Sequence, residues 1–262
     1  PPRQIEFARL NINYCITSKR KNIRLVTDKM VSGWDDPRMA TICGMRRRGY
    51  PASSIRTFIE KVGVSKAYSV VDYGLLESCV RDDLNASAPR AMAVLDPLKV
   101  IIDNYPEGQT EEVEVDIHPE RPELGKAKIT FGKEIYVEKS DFMIEPVKKY
   151  FRLFPGNEVR FRGAYFLTCT SYDLDENGEV TAIHCTYDPD SKGGNSPDGR
   201  KVKGTIHWAG PNAFKAEVRL YDRLFTVEDP ASVSDEEFPS VINKDSLVVL
   251  KDCLIEETIK NA

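Results

Sequence analysis

Long apolar runs are missing from this 262-residue sequence, and no stretch approaches the roughly 18 residues that a membrane-crossing helix needs. The opening residues carry no signal-peptide pattern either. Histidine is scarce, with His118, His184 and His207 far apart, and the six cysteines (Cys15, Cys43, Cys79, Cys169, Cys185, Cys253) form no C-x-x-C pair. That scatter argues against a zinc site and a disulfide framework; it fits reduced thiols used as small core hydrophobes, so a cytoplasmic location and no bound metal are expected. An excess of positive charge is lacking too: the formal net charge is −4, which by itself gives no reason to expect a nucleic-acid partner. No internal repeat or long low-complexity segment is present, which leaves an ordinary globular chain.

What is there is a composition of 41% hydrophobic and 30% charged residues, enough for one large or two moderate domains. The charge is unevenly placed. Residues 1–60 hold twelve bases against five acids, whereas Glu228, Asp229, Asp235, Glu236 and Glu237 crowd together later. A basic zone on a mildly acidic protein permits phosphate binding. The sequence opens at Pro1 without a methionine and runs straight into Ile5, Phe7, Leu10 and Ile12, so it is read as the interior of a longer protein.

Residues 3–16 alternate in the manner of a strand that leads into a loop at 17–22. Helical texture starts at Asp36, with Pro37 suited to a first turn. It continues over Ser53–Val62, where Ile55, Phe58, Ile59 and Val62 share a face and Gly63 is the stop signal. Asp72–Leu84 reads as another helix, with Leu75, Leu76, Cys79, Val80 and Leu84 along one side, and Pro89 marks a boundary. Beyond it β signals dominate: Val94–Ile102, Glu111–Ile117, Ile129–Val137, Glu158–Thr170 and Val180–Tyr187, the last following a turn at Asp175–Gly178. A polar loop over Asp188–Arg200 precedes strands at Val202–Trp208 and Ala216–Phe225. Many short strands at this spacing predict antiparallel barrels after a helical block.

The segment Ile16-Thr-Ser-Lys-Arg20 is by itself an ordinary surface loop. It follows Phe7-Ala-Arg-Leu-Asn11 and precedes Gly33-Trp-Asp-Asp-Pro-Arg38 and Gly44-Met-Arg-Arg-Arg-Gly-Tyr50. Together these resemble class I aminoacyl-tRNA synthetases of the glutaminyl/glutamyl group, in which a K-M-S-K-S-like loop leads from a nucleotide-binding fold into a helical block. Further blocks extend the resemblance over essentially the whole chain and narrow it to the glutaminyl enzymes. They are Leu76-Glu-Ser-Cys-Val-Arg-Asp-Asp-Leu84, Ala88-Pro-Arg-Ala-Met-Ala-Val94, Asp198-Gly-Arg-Lys-Val-Lys-Gly204, Ile206-His-Trp208 and Leu220-Tyr-Asp-Arg-Leu-Phe225.

The resemblance implies a multidomain α+β chain. Residues 1–28 would be the short end of a nucleotide-binding catalytic domain, 29–88 a helical subdomain touching the tRNA stem, and 89–262 an anticodon-binding domain of two β-barrels with its last segment incomplete. Lys19 would stabilise charge on the ATP phosphates, with Thr17 and Ser18 flanking it and Arg9 and Leu10 lying against the nucleotide; Thr17 stands where the group has methionine. ATP with Mg2+ would serve the intact enzyme. No ligand is expected on this chain alone, because it contains no H-I-G-H element. Ser65 and Lys66 would meet the inside of the tRNA elbow. Arg90 would contact the middle anticodon base, Arg152 the guanine, and Arg162 the first base, with Arg160 beside it on the same strand and face. Lys149 stands where relatives have glutamine. An arginine fork suits the task because it bonds two acceptors on a base or stacks beneath one. The implied partner is a glutamine tRNA, with neither DNA nor membrane, and the chain is expected to be monomeric. Two other readings stay open on the sequence: a eukaryotic- or archaeal-type glutamyl-tRNA synthetase, and a non-catalytic RNA-binding barrel protein.

Overall fold

The computed structural model describes residues 2–194, 196 and 198–260, so Pro1, the last two residues and two positions of the Asp188–Arg200 loop lie outside the described set. Internal packing divides the chain into two units, residues 1–88 with 219–249, and residues 89–218 with 250–262. These are units of packing, a different division from the segments 1–28, 29–88 and 89–262.

The first unit contains β1 (Asn11–Ile12), α1 (Lys19–Thr27), α2 (Ile42–Arg47), α3 (Ala52–Val62), β2 (Val70–Val71) and α4 (Tyr73–Ser87). The long strand expected over 3–16 shrinks to β1, which pairs in parallel with β2. Ile5 and Phe7 are each 70% exposed, so their alternation reflects no buried sheet face among the described residues. The loop expected at 17–22 is instead the start of α1, with Ser18 as its extended N-cap residue. Local sequence hides this helix because Lys-Arg-Lys-Asn carries no apolar period; it is held by contacts with residues more than 200 positions away. Pro37 lies in a turn, and the helix begins only at Ile42, where the Thr41 hydroxyl accepts from the Gly44 amide at 2.9 Å. The signals around α3 and α4 act as read. Gly63, at φ +69°, closes α3. Asp72 caps α4 by accepting from Gly74, and Pro89 follows its C-cap residue, Ala88. Leu76, Cys79 and Val80 are buried, although Leu84 is exposed. A second cluster joins Ile16, Leu25, Val31 and Met39 to Leu224, Phe225 and Phe238.

The second unit is β-rich, with β3 (Ala93–Val94), β4 (Pro97–Ile102), β5 (Thr110–Asp116), β6 (Lys126–Gly132), β7 (Glu134–Glu138), β8 (Glu158–Phe161), β9 (Phe166–Leu174), β10 (Val180–Asp188) and β11 (Thr205–Ile206). Two more strands, β12 (Phe214–Tyr221) and β13 (Leu247–Ile255), carry the chain out of this unit and back. Six strands form one sheet in the order β11-β8-β9-β10-β4-β7. Paired backbone bonds between Tyr136 and Ala209, both 2.8 Å, bring its two ends together, so the sheet is nearly a closed barrel. It is not purely antiparallel: β10 pairs with β4, and β8 with β11, in parallel. Strand β4 alternates half-buried and buried residues along its length. The core holds Val100, Ile102, Phe131, Ile135, Phe161, Leu167 and Trp208. The segments read at Ile129–Val137 and Glu158–Thr170 each resolve into two strands, and Pro189–Gly194 within the polar loop holds 3-10 turns broken by a kink at Lys192 and Gly193. Strand β13 had no counterpart in the sequence reading. The described residues also form a three-stranded sheet, β12-β13-β3.

Candidate functional site

In the first unit the basic run Lys19-Arg-Lys21 divides by role. Lys21 is 6% exposed and its ammonium donates to the carbonyls of Pro230, Ala231 and Val233 at 3.1, 2.9 and 2.7 Å, which uses all three of its donors. Burial pushes its pKa down, opposed by the nearby Asp235 carboxylate. Arg20 is highly exposed and reaches Asp235 at 3.6 Å, a weak pairing. Lys19 is exposed, and among the described residues its ammonium has no partner. It sits at the first position of α1, one residue after the N-cap.

The other basic residues here are mostly structural. Arg48 donates to the Tyr221 carbonyl at 3.0 Å, Arg47 pairs with Asp35 at 3.1 Å, and Arg38 bonds both oxygens of buried Asp36 at 2.9 and 2.8 Å. Burial alone would raise the Asp36 pKa. Bonds from the Arg38 side chain and from the amides of Ser32 and Arg38 outweigh it and hold the carboxyl well below the usual range. In the block Leu220–Phe225, Arg223 lies over the Tyr14 ring at 4.4 Å, while Leu224 and Phe225 enter the core.

Arg9, Leu10 and Ser65 come together on the wall of one cavity of about 230 Å³, with Phe7, Ile59 and Val64. A bond from the Ala8 amide to the Ser65 carbonyl (2.9 Å) holds the two segments together, and the Thr17 hydroxyl donates to the Leu10 carbonyl at 3.2 Å. Lys66 is exposed and does not line that cavity.

In the second unit, Arg90 has an exposed side chain, and its backbone amide is anchored on the Ile117 carbonyl at 2.8 Å. Lys149 is exposed and has φ +69°, a left-handed conformation that costs a non-glycine residue energy. Arg152 follows three residues later, its side chain 48% exposed, with one terminal nitrogen on the carboxylate of Asp141, itself 3% exposed. Burial raises the Asp141 pKa while the Arg152 charge opposes it; the second carboxylate oxygen has no partner among the described residues. The segment is set by Gly204, because a Cβ there would fall 1.9 Å from the Phe151 carbonyl oxygen. That close approach accounts for the final glycine of the Asp198–Gly204 block.

Arg160 and Arg162 are not on one strand as read, because β8 ends at Phe161. The Arg162 amide still donates to the Ile206 carbonyl at 3.0 Å, while its guanidinium donates to the Asp116 carbonyl at 3.2 Å and its own carbonyl accepts from Trp208 at 3.0 Å. The Arg160 guanidinium lies over the Phe166 ring at 5.3 Å. Three neighbours had no assigned role in the sequence: Asp141, Lys21, and Arg200, which binds Glu158, Asp188 and Asp198. Arg200 stood inside a quoted block, but nothing marked Asp141, eleven residues from its partner. Among the described residues no group of three or more His, Cys, Asp or Glu side chains is placed to hold a metal, and no helix is long and apolar enough to cross a membrane.

Residues 1–86 match the family model described as tRNA synthetases class I (E and Q), catalytic domain. Residues 88–188 and 205–262 match two models described as tRNA synthetases class I (E and Q), anti-codon binding domain. The glutamine–tRNA ligase of Bradyrhizobium diazoefficiens is 53% identical over 259 residues, covering 98% of this chain and 46% of the relative. The glutamine–tRNA ligases of Aliivibrio fischeri and Clostridium perfringens are 51% and 53% identical over 262 residues, covering 100% of this chain and 47% of each relative. The chain therefore spans about half the length of these curated relatives. Three models of one family account for most of the sequence in order, and on that ground the chain belongs to the class I tRNA synthetases of the E and Q group.

Proposed function

We propose that this chain is the tRNA-recognition part of a glutamine–tRNA ligase, the enzyme that joins glutamine to its tRNA with ATP in the cytoplasm. The observation that supports it most directly is the state of the five cations Arg90, Lys149, Arg152, Arg160 and Arg162. They stand on or beside the nearly closed barrel: the Arg152 fork meets a buried carboxylate, Arg160 lies over a ring and Arg162 bonds a backbone carbonyl, while Arg90 and Lys149 are fixed only at the backbone. Pre-set arginine forks can read splayed loop bases, since a fork held from behind loses little freedom on binding. In this reading Arg90 meets the middle anticodon base, Arg152 the guanine, and Arg162 the first base, with Arg160 beside it. Ser65 and Lys66 contact phosphate and ribose, which gives position without base identity.

Lys19 completes the reading in the first unit. Its exposed ammonium, with Thr17 and Ser18 beside it, would offset negative charge that develops on the ATP α-phosphate as the amino acid attacks. Arg9 and Leu10 would lie against the nucleotide. Magnesium in such sites is held largely by substrate phosphates, and the described residues do not themselves form a metal site. We further assign residues 1–28 to the end of the catalytic domain, 29–88 to stem contact and 89–262 to anticodon binding, in a monomer that binds neither DNA nor membrane.

The test is a cycle of two proteins by two tRNAs at fixed salt, using the intact protein. A bidentate arginine–guanine contact discriminates by ~1–3 kcal/mol, whereas a phosphate contact weakens all sequences alike. Arg152→Ala should weaken a tRNA carrying the anticodon guanine about ten-fold or more and barely affect one with that base replaced. An equal loss with both tRNAs would remove Arg152 from base reading.

A further inference from the structure

Two guanidinium groups share one buried ring: Arg160 lies 5.3 Å and Arg200 5.2 Å from the centroid of Phe166, which is fully buried. Two unscreened cations would repel there. Arg200 is neutralised where it sits. It donates to both oxygens of Glu158 at 2.9 Å and to Asp198 at 2.7 Å, and it also bonds Asp188. Arg160 is held differently. Its Nε is buried without a hydrogen-bond partner among the described residues, and its Cδ lies against Gly194, where an added Cβ would sit 3.0 Å away. Among the described residues, packing and the Phe166 ring hold this side chain. Glu158 and Arg160 are two residues apart on β8 and so project from the same face. Glu158 and Asp188 are each 26% exposed, so both carboxylates are partly desolvated. Arg160 thus shares the Phe166 ring with Arg200 and one face of β8 with Glu158.

We propose that Arg200 is a positioning residue that keeps Arg160 available to an RNA base by occupying the carboxylates that would otherwise capture it. This rests on the reading of Arg160 as a tRNA-binding residue beside Arg162 at the first anticodon base. Arg200 touches no ligand in this account; it fixes which cation the acidic cluster takes.

The experiment measures binding of the intact protein to three tRNAs: one with the glutamine anticodon, one changed at the first anticodon base, and one changed at the third. Arg200→Gln should cut first-base discrimination about ten-fold, within the range of a lost bidentate contact, and leave third-base discrimination unchanged. Adding Glu158→Gln to it should restore most of the loss, because the competing carboxylate is gone. Arg200→Lys, which keeps the charge and guards against a folding failure of the glutamine variant, should stay within about two-fold of the parent. Retained discrimination in Arg200→Gln, no rescue by Glu158→Gln, or an equal fall at both bases would each overturn the proposal. Arg160→Ala separates the two layers. If it leaves first-base discrimination intact, the base-reading role of Arg160 fails and this proposal falls with it. If it removes discrimination while Arg200→Gln does not, only the positioning role fails.

Discussion

Lys21→Met removes an ammonium while keeping the apolar stem, and the structure sets the size of the effect. Three charge-assisted bonds disappear, to the carbonyls of Pro230, Ala231 and Val233. So does a cation contact 5.0 Å from the Phe238 ring. Bonds to a charged group are worth ~1.5–3 kcal/mol each, so the gross loss is roughly 4–9 kcal/mol. Against this stands the cost of burying the ammonium, several kcal/mol, which the methionine no longer bears. A net destabilisation of about 3 kcal/mol is expected, on the order of a 100-fold shift in the opening equilibrium. Native-state hydrogen exchange reads it locally: protection should fall in α1 and in residues 229–238, and stay unchanged in β4. Lys19→Met is the matched control. Among the described residues its exposed ammonium has no partner, so its cost should stay within about 0.5 kcal/mol. If Lys19→Met loosened the 229–238 segment as much as Lys21→Met, or if Lys21→Met left exchange within two-fold of the parent, the anchoring role would be refuted.

Two pH dependences follow from charged pairs. Asp36 has its pKa depressed in the folded chain, so its stabilisation is fully present above the ordinary carboxylate value of 3.8 and is lost as pH falls through the folded value. Asp36→Asn should lower the urea midpoint at neutral pH and flatten its fall below pH ~4; an unchanged acid limb would show that the Arg38 pair is not stabilising. His184 is the opposite case. Its ring nitrogens meet Asp103 at 2.9 Å and Asp173 at 3.1 Å, and these bonds raise its pKa above 6.5. The stabilisation is complete below pH 6.5 and is lost as pH rises through the folded value, so the urea midpoint should drop over that window in the parent and not in His184→Gln. A drop of equal size in both would assign it to other groups.

Some features follow from short stretches of chain. Gly63 and Asp72 delimit α3 and α4 because a cap or a positive φ is a property of a few adjacent residues. The strand-rich character of residues 94–187 was legible for the same reason, since alternation of period two survives in β4 and β5. Lys19, after Thr17-Ser18, and Arg90, after Ala88-Pro89, were legible as types in quoted blocks, whereas Arg152, Arg160 and Arg162 were named only through the family resemblance.

What each of those cations does was decided only by folding. Lys19 and Lys21 are the same residue two positions apart, yet one is solvated and the other spends every donor on carbonyls some 210 residues away. Lys21 ties helix α1 to that distant segment, and no local pattern at the polar start of the helix encodes this tie. The parallel pairings of β4 with β10 and of β8 with β11, and the Tyr136–Ala209 bonds that nearly close the sheet, join residues far apart in the chain, and no local pattern encodes such partners. Arg152 meets Asp141, and Arg160 shares Phe166 with Arg200, because the barrel brings separate segments together. A residue's chemistry is written in its side chain, but its pKa, its free donors and its rivals for charge depend on neighbours that only the tertiary structure supplies.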